Sequence, residues 1–134
     1  MKTILSLSLI FFFALGAIAQ SSLASAESLT PEQQAEKMTN QLSQSLELDD
    51  NMKSKVYQVA LSSARNLQEL ESIKVSHAAT YKSKMANLVK DTDARILQVL
   101  DPDRAVLYRE LVRQREADAA HEEAVQQRLQ SNGN

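Results

Sequence analysis

The sequence predicts an all-α protein of about four helices. Three observations carry that. From residue 20 to residue 132 there is no glycine, and Pro31 and Pro102 are the only prolines. All three phenylalanines lie at 11–13 and Trp is absent, so the remaining chain is too poor in aromatics and turn formers for a sheet. Apolar residues then recur at three- and four-residue spacing behind recognisable helix caps.

Composition bounds the function classes. A chain of 134 residues holds one domain at most once a targeting segment is set aside. The absence of Cys excludes disulfides, thiolate metal sites, a Cys nucleophile and lipid attachment at a leader cysteine. A formal charge of -2 argues against a nucleic-acid binder of the basic kind. An enzyme built on Gly-rich loops is excluded by the glycine count.

Residues 1–19 read as a secretory signal peptide. Lys2 gives a positive start, Ile4–Leu15 is an apolar run broken only by Ser6 and Ser8, and Ala17-Ile18-Ala19 is a small-x-small site. A second such site, Ala24-Ser25-Ala26, places an alternative cut after 26. The run is shorter than the ~20 apolar residues a membrane span needs, so no anchor is expected after cleavage. Residues 20–29 read as a flexible lead-in, and the mature chain as exported and, in a bacterium, periplasmic.

The helices follow in order. Thr30 caps the first, with Pro31 at its first position and Gln33 completing a capping box after Leu29. That helix runs to about Glu47, with Ala35, Met38, Leu42 and Leu46 on one face. After Leu48, Asp49 caps the second, whose stripe is Met52, Val56, Val59, Ser63, Leu67, Leu70 and Ile73. The pattern weakens over Lys74–His77 and resumes with Tyr81, Met85, Leu88, Thr92, Ile96 and Val99, which predicts a break near 75–77; one long bent helix is the alternative. After Leu100, Asp101 caps the last helix and Pro102 opens it, with Ala105, Tyr108, Leu111, Val112 and Ala119 inward. The helical domain is read as 30–115. Residues 116–134 hold only Val125 and Leu129 as large apolar residues and read as a polar tail, helical or disordered.

Leu, Ile, Val and Met total 27 after residue 19, a thin supply for four helices. It favours an open layer or a homodimer. Charge is segregated: residues 51–90 carry seven bases against Glu69 and Glu71, while 27–50 carry Lys37 against six acids. Either acidic and basic helices pack as neighbours, or the basic segment faces a partner.

Leu29-Thr30-x-x-Gln33 resembles the LTxxQ signature of the Spy/CpxP family of periplasmic helical proteins. The likeness extends through Lys55-Val56-Tyr57-x-Val59, through Asp93-Ala94-x-Ile96-Leu97-x-Val99-Leu100-Asp101-Pro102-Asp103, and into Leu107-Tyr108-x-Glu110-Leu111, in the manner of the branch common in Bacteroidetes. It covers roughly 29–115. At the second and third helix starts Asp49 and Asp101 stand for Thr, and Met52 and Arg104 for Gln, so the caps are kept and the reciprocal Gln bond is lost. The resemblance implies an elongated helical hairpin or cradle that dimerises. It also implies ATP-independent binding of unfolded or misfolded envelope proteins, or inhibition of an envelope-stress sensor kinase through its periplasmic domain. Some relatives bind metal.

Other chemistries find little here. The two histidines, His77 and His121, fall on different helices, and no His-x-x-x-His spacing exists. His77 with Tyr81, or two copies of His121 across a dimer, are the only metal arrangements on offer. Glu122-Glu123 and Asp91/Asp93 read as solvated or capping carboxylates, so no enzyme and no cofactor are expected. For a client-binding surface the candidates are Lys53, Lys55, Arg65, Lys74, Lys82, Lys84 and Lys90, with Met52 and Met85 as adaptable apolar contacts.

Overall fold

A computed structural model describes residues 29–131; the signal-peptide reading, both cleavage sites and nearly all of the 20–29 lead-in lie outside them. Those residues form four helices, α1 (Pro31–Leu46), α2 (Asp50–Glu71), α3 (Ala78–Val99) and α4 (Pro102–Ser131), and among them there is no strand.

The Thr30 capping box forms as its residues dictate. Thr30 Oγ1 accepts from the Gln33 backbone N–H at 3.2 Å, and Gln33 Oε1 accepts from the Thr30 N–H at 2.9 Å. Along α1 the buried side chains are Ala35, Met38, Leu42 and Leu46, the expected stripe, plus Thr39, whose hydroxyl donates to the Ala35 carbonyl at 2.7 Å. The helix stops because Glu47 turns left-handed, with φ 52° and ψ 53°. A side chain with a Cβ gives up roughly 1–2 kcal/mol there.

Asp49 caps α2 by accepting from the Met52 N–H at 2.8 Å. The second helix buries Met52, Val56, Val59, Ala60, Ala64 and Leu67. Ala60 and Ala64 lie outside the predicted stripe. They are buried because α2 is the middle of three helices and is covered on two sides: α1 packs along it, and so does α3.

The break near 75–77 is real. Residues 72–77 turn without glycine through short backbone bonds, Ile73 N–H to Leu70 O at 3.0 Å and His77 N–H to Ile73 O at 2.8 Å. Of α3, Leu88, Thr92 and Ile96 are buried, while Tyr81 and Met85 are half-buried. Cross-links fix the antiparallel register. Ser63 and Thr92 share a hydroxyl–hydroxyl bond of 2.6 Å, and Arg95 Nη1 donates to Ser62 Oγ at 3.1 Å. Thr92 spends its proton on the Leu88 carbonyl at 2.7 Å, so Ser63 is the donor of the pair. Arg65 on α2 meets Glu32 on α1 at 3.2 Å. One exposed ion pair thus joins α1 to α2, while α2 itself is balanced, with Lys53, Lys55 and Arg65 against Asp50, Glu69 and Glu71.

These registers bring the C-terminal ends of α1 and α3 to the N-terminal end of α2. Leu46, Met52, Val56, Ile96, Leu100, Ala105 and Tyr108 are all buried. Full burial of side chains such as Val56 and Ile96, both 0% exposed, contributes about 1.5–3 kcal/mol each.

The compact body ends at Glu110. Within it α4 contributes Ala105 and Tyr108 to the core. Beyond it Leu111 and Val112 are half-buried and α4 continues as helix to Ser131. Ala119, expected inward, is exposed, as is every residue from Glu116 to Ser131. The physical reason is that no apolar stripe continues past Val112 to hold a face against anything.

Candidate functional site

The nine candidate client contacts do not form one surface. Met52 is 9% exposed and belongs to the core; its position follows from Asp49, whose cap directs the first turn of α2 inward. Arg65 is exposed but engaged by Glu32. Lys53 is half-buried and Lys55 exposed near the start of α2. The remaining five sit on the α2–α3 turn and on α3. Lys82, Lys84 and Lys90 are exposed and Met85 half-buried, but helical geometry spreads the lysines: Lys82 and Lys84 point about 160° apart around α3.

The turn between α2 and α3 is where apolar and basic groups meet. Val75 is 96% exposed, the most exposed large apolar residue of the body. Ile73 on the turn and Tyr81 and Met85 on α3 are half-buried. Lys74 is half-buried, 3.4 Å from Glu71, with its ammonium 5.6 Å from the Tyr81 ring centre. Tyr81 Oη donates to Glu71 Oε1 at 2.7 Å. Burial, then this bond to a carboxylate, pushes the Tyr81 phenol up to about 12. The three groups tie the start of α3 to the end of α2. That tie replaces a cap, because His77 precedes α3 without a side-chain cap bond. An open groove runs along the hairpin from this turn, lined among others by Asn66, Leu70, Ile73, Lys84, Asn87 and Asp91.

The cap residues take up their predicted places, and one does more. Asp101 Oδ1 accepts from the Arg104 N–H at 3.0 Å, so the third cap forms. Arg104 does not merely stand where a Gln bond is missing. Its Nη1 donates to Asp101 Oδ2 at 2.7 Å, its Nε to the Leu46 and Glu47 carbonyls at 3.0 and 3.1 Å, and its Nη2 to Glu47 O at 2.7 Å. The last turn of α1 contains no basic residue of its own. Arg104 supplies the cation that its unpaired carbonyls and dipole favour. The Arg104 backbone N–H, and then its guanidinium, hold the Asp101 carboxyl below the usual carboxylate range. Sequence spacing could not find this contact, since it joins residues 57 and 58 apart.

The metal arrangement on His77 is not assembled: the Tyr81 hydroxyl is given to Glu71, and His77 Nδ1 pairs with Ser76 Oγ at 2.9 Å. Among the described residues no group of three or more His, Asp or Glu side chains converges as a metal ion requires. No described helix is long and apolar enough to cross a membrane.

The chain matches no protein-family model, no curated protein and no solved structure.

Proposed function

We propose that this chain is an exported, ATP-independent, chaperone-like protein of the Spy/CpxP kind that binds unfolded envelope proteins at the α2–α3 turn. The observation that carries the reading is the turn itself, with Val75 in solvent next to half-buried Ile73, and with Lys84 exposed on the groove that Ile73 and Leu70 line. Lysines speed encounter with acidic unfolded chains, and a small apolar patch then holds them. The open three-helix layer and the three capped helix starts at Thr30, Asp49 and Asp101 support the family assignment. The leader-like residues 1–19 support export to the periplasm.

The test is suppression of aggregation of a heat-unfolded acidic client without ATP. Wild type should suppress it, and Val75→Asp should weaken suppression several-fold while keeping the far-UV circular dichroism, because Val75 lies outside the helices and is not packed. Equal suppression by the variant removes the turn as the surface. A single partner captured from periplasm, with no effect on denatured clients, would favour instead a regulator of a sensor kinase.

The same reading includes a homodimer; a second copy on the α2–α3 groove would compete with the client for Ile73 and Lys84, so the dimer and the client-bound state exclude each other there. Lys84 of one copy would then face Glu69 or Asp91 of the other. Leu70→Asp in the groove should lower the sedimenting mass from dimer to monomer. Leu67 is buried within the protomer, so Asp there would report folding instead.

A further inference from the structure

We infer that the groove between α2 and α3 holds an unfolded segment by its main chain, with the side-chain amides of Asn66 and Asn87 pairing with its peptide groups. This rests on the function proposed above and says which part of a client is recognised.

Asn66, Leu70 and Ile73 lie at i, i+4 and i+7 from the middle of α2 into the turn, and Lys84, Asn87 and Asp91 at i, i+3 and i+7 on α3, so each set shares one face and both line the groove. The ties at Ser63–Thr92 and Glu71–Tyr81 set the register between them, with Asn66 level with Asn87 and Glu69 level with Lys84. All four of these residues are exposed, and among the described residues none of the four side chains has a hydrogen bond or ion pair within the chain. Asp91 meets Arg95 at 3.9 Å, the outer limit of an ion pair.

Those groups decide the occupant. An apolar ligand would strip water from them and return no bond. A polyanion would meet Glu69 and Asp91. A peptide main chain is uncharged and offers an N–H and a C=O at each residue, and a primary amide answers both, with two donors and an acceptor oxygen. From Ile73 to Asn66 is about 10 Å at the helical rise, the length of roughly three residues of extended chain. Over that length half-buried Leu70 and Ile73 take an apolar side chain, Lys84 favours an acidic one, and the amides take the main chain between. Main-chain pairing is the same for every sequence, which is what a binder of many different clients requires.

The test separates main chain from side chains. The probes are a fluorescein-labelled decapeptide of alternating valine and glutamate, capped at both ends, and a copy in which ester oxygens replace the central peptide N–H groups. Fluorescence anisotropy should show wild type binding the amide peptide about tenfold more tightly than the ester copy, as expected for the loss of about two hydrogen bonds. With Asn66→Ala and Asn87→Ala together, the two peptides should bind alike. Both positions are exposed and alanine favours helix, so far-UV circular dichroism should not change. Should the double variant fail to fold, the wild-type comparison decides alone. Wild type binding both peptides equally, or binding neither, overturns the inference; the latter together with a dimer in sedimentation gives the groove to a second copy. An amide preference that survives in the folded double variant overturns it too. Client protection without an amide preference keeps the proposed function and removes this mode of holding. An amide preference without client protection does the reverse.

Discussion

Arg104→Met removes the guanidinium but keeps an unbranched side chain, so it isolates what the contact to α1 contributes. Arg104 Nε is shared between the Leu46 and Glu47 carbonyls and Nη2 goes to Glu47, which amounts to about two net hydrogen bonds at roughly 0.5–1.5 kcal/mol each. The charge at the C-terminal end of α1 adds about 0.3–1 kcal/mol. The Asp101 pair is local and screened by solvent, so it is left out of the sum. The sum, trimmed for exposure, is about 2 kcal/mol. For a body of this size that is a fall in midpoint of about 8–16 °C. Thermal and urea unfolding followed by circular dichroism measure it. Arg104→Lys keeps the charge but not the fork and should lose at least half as much. A change below about 0.5 kcal/mol in Arg104→Met, or a Lys variant equal to wild type, would refute the claim that this side chain fastens α1 to α4.

Three further outcomes are expected. Ser63→Ala and Thr92→Val should each cost about 1 kcal/mol, and the double variant less than their sum, because the second change removes the group left unpaired by the first; strict additivity in a urea double-mutant cycle would contradict the shared bond. Tyr81, pushed up to about 12, should contribute stability that is whole below pH 10 and fades as pH rises from 10 through 12; a phenolate absorbance titration should show one late component that Tyr81→Phe abolishes, and a titration without it would count against the Glu71 bond. Truncation after Arg115 should leave the midpoint within about 2 °C, since every residue from Glu116 to Ser131 is exposed, and a larger fall would show that the tail packs on something.

The fold was legible because capping is local chemistry. Thr30, Asp49 and Asp101 each need only the backbone three residues on, so the helix starts they announce can be read from a short window. The break at 72–77 was visible as a lapse in apolar spacing, although it holds no glycine or proline and only Ser72 and Ser76 as turn formers. Ala60 and Ala64 escaped notice because small residues carry little hydropathy signal, and their burial depends on α2 being central. Ala119 misled for the related reason that alanine satisfies a helical period without anchoring it. The binding candidates were the least legible part. Met52 is apolar and near lysines in sequence, yet the cap at Asp49 turns it into the core. Arg65 is spoken for by Glu32 from another helix. The role of Arg104 lay in a contact across more than half the described chain, which no window could contain.

The central claim is that this open helical layer binds unfolded chains without a nucleotide. Light scattering from a heat-unfolded client, with the purified chain from residue 20 onward and no ATP, tests it most directly. The account predicts that scattering falls in proportion to added protein and is largely suppressed near equal molar amounts. Scattering unchanged at several-fold molar excess would contradict it.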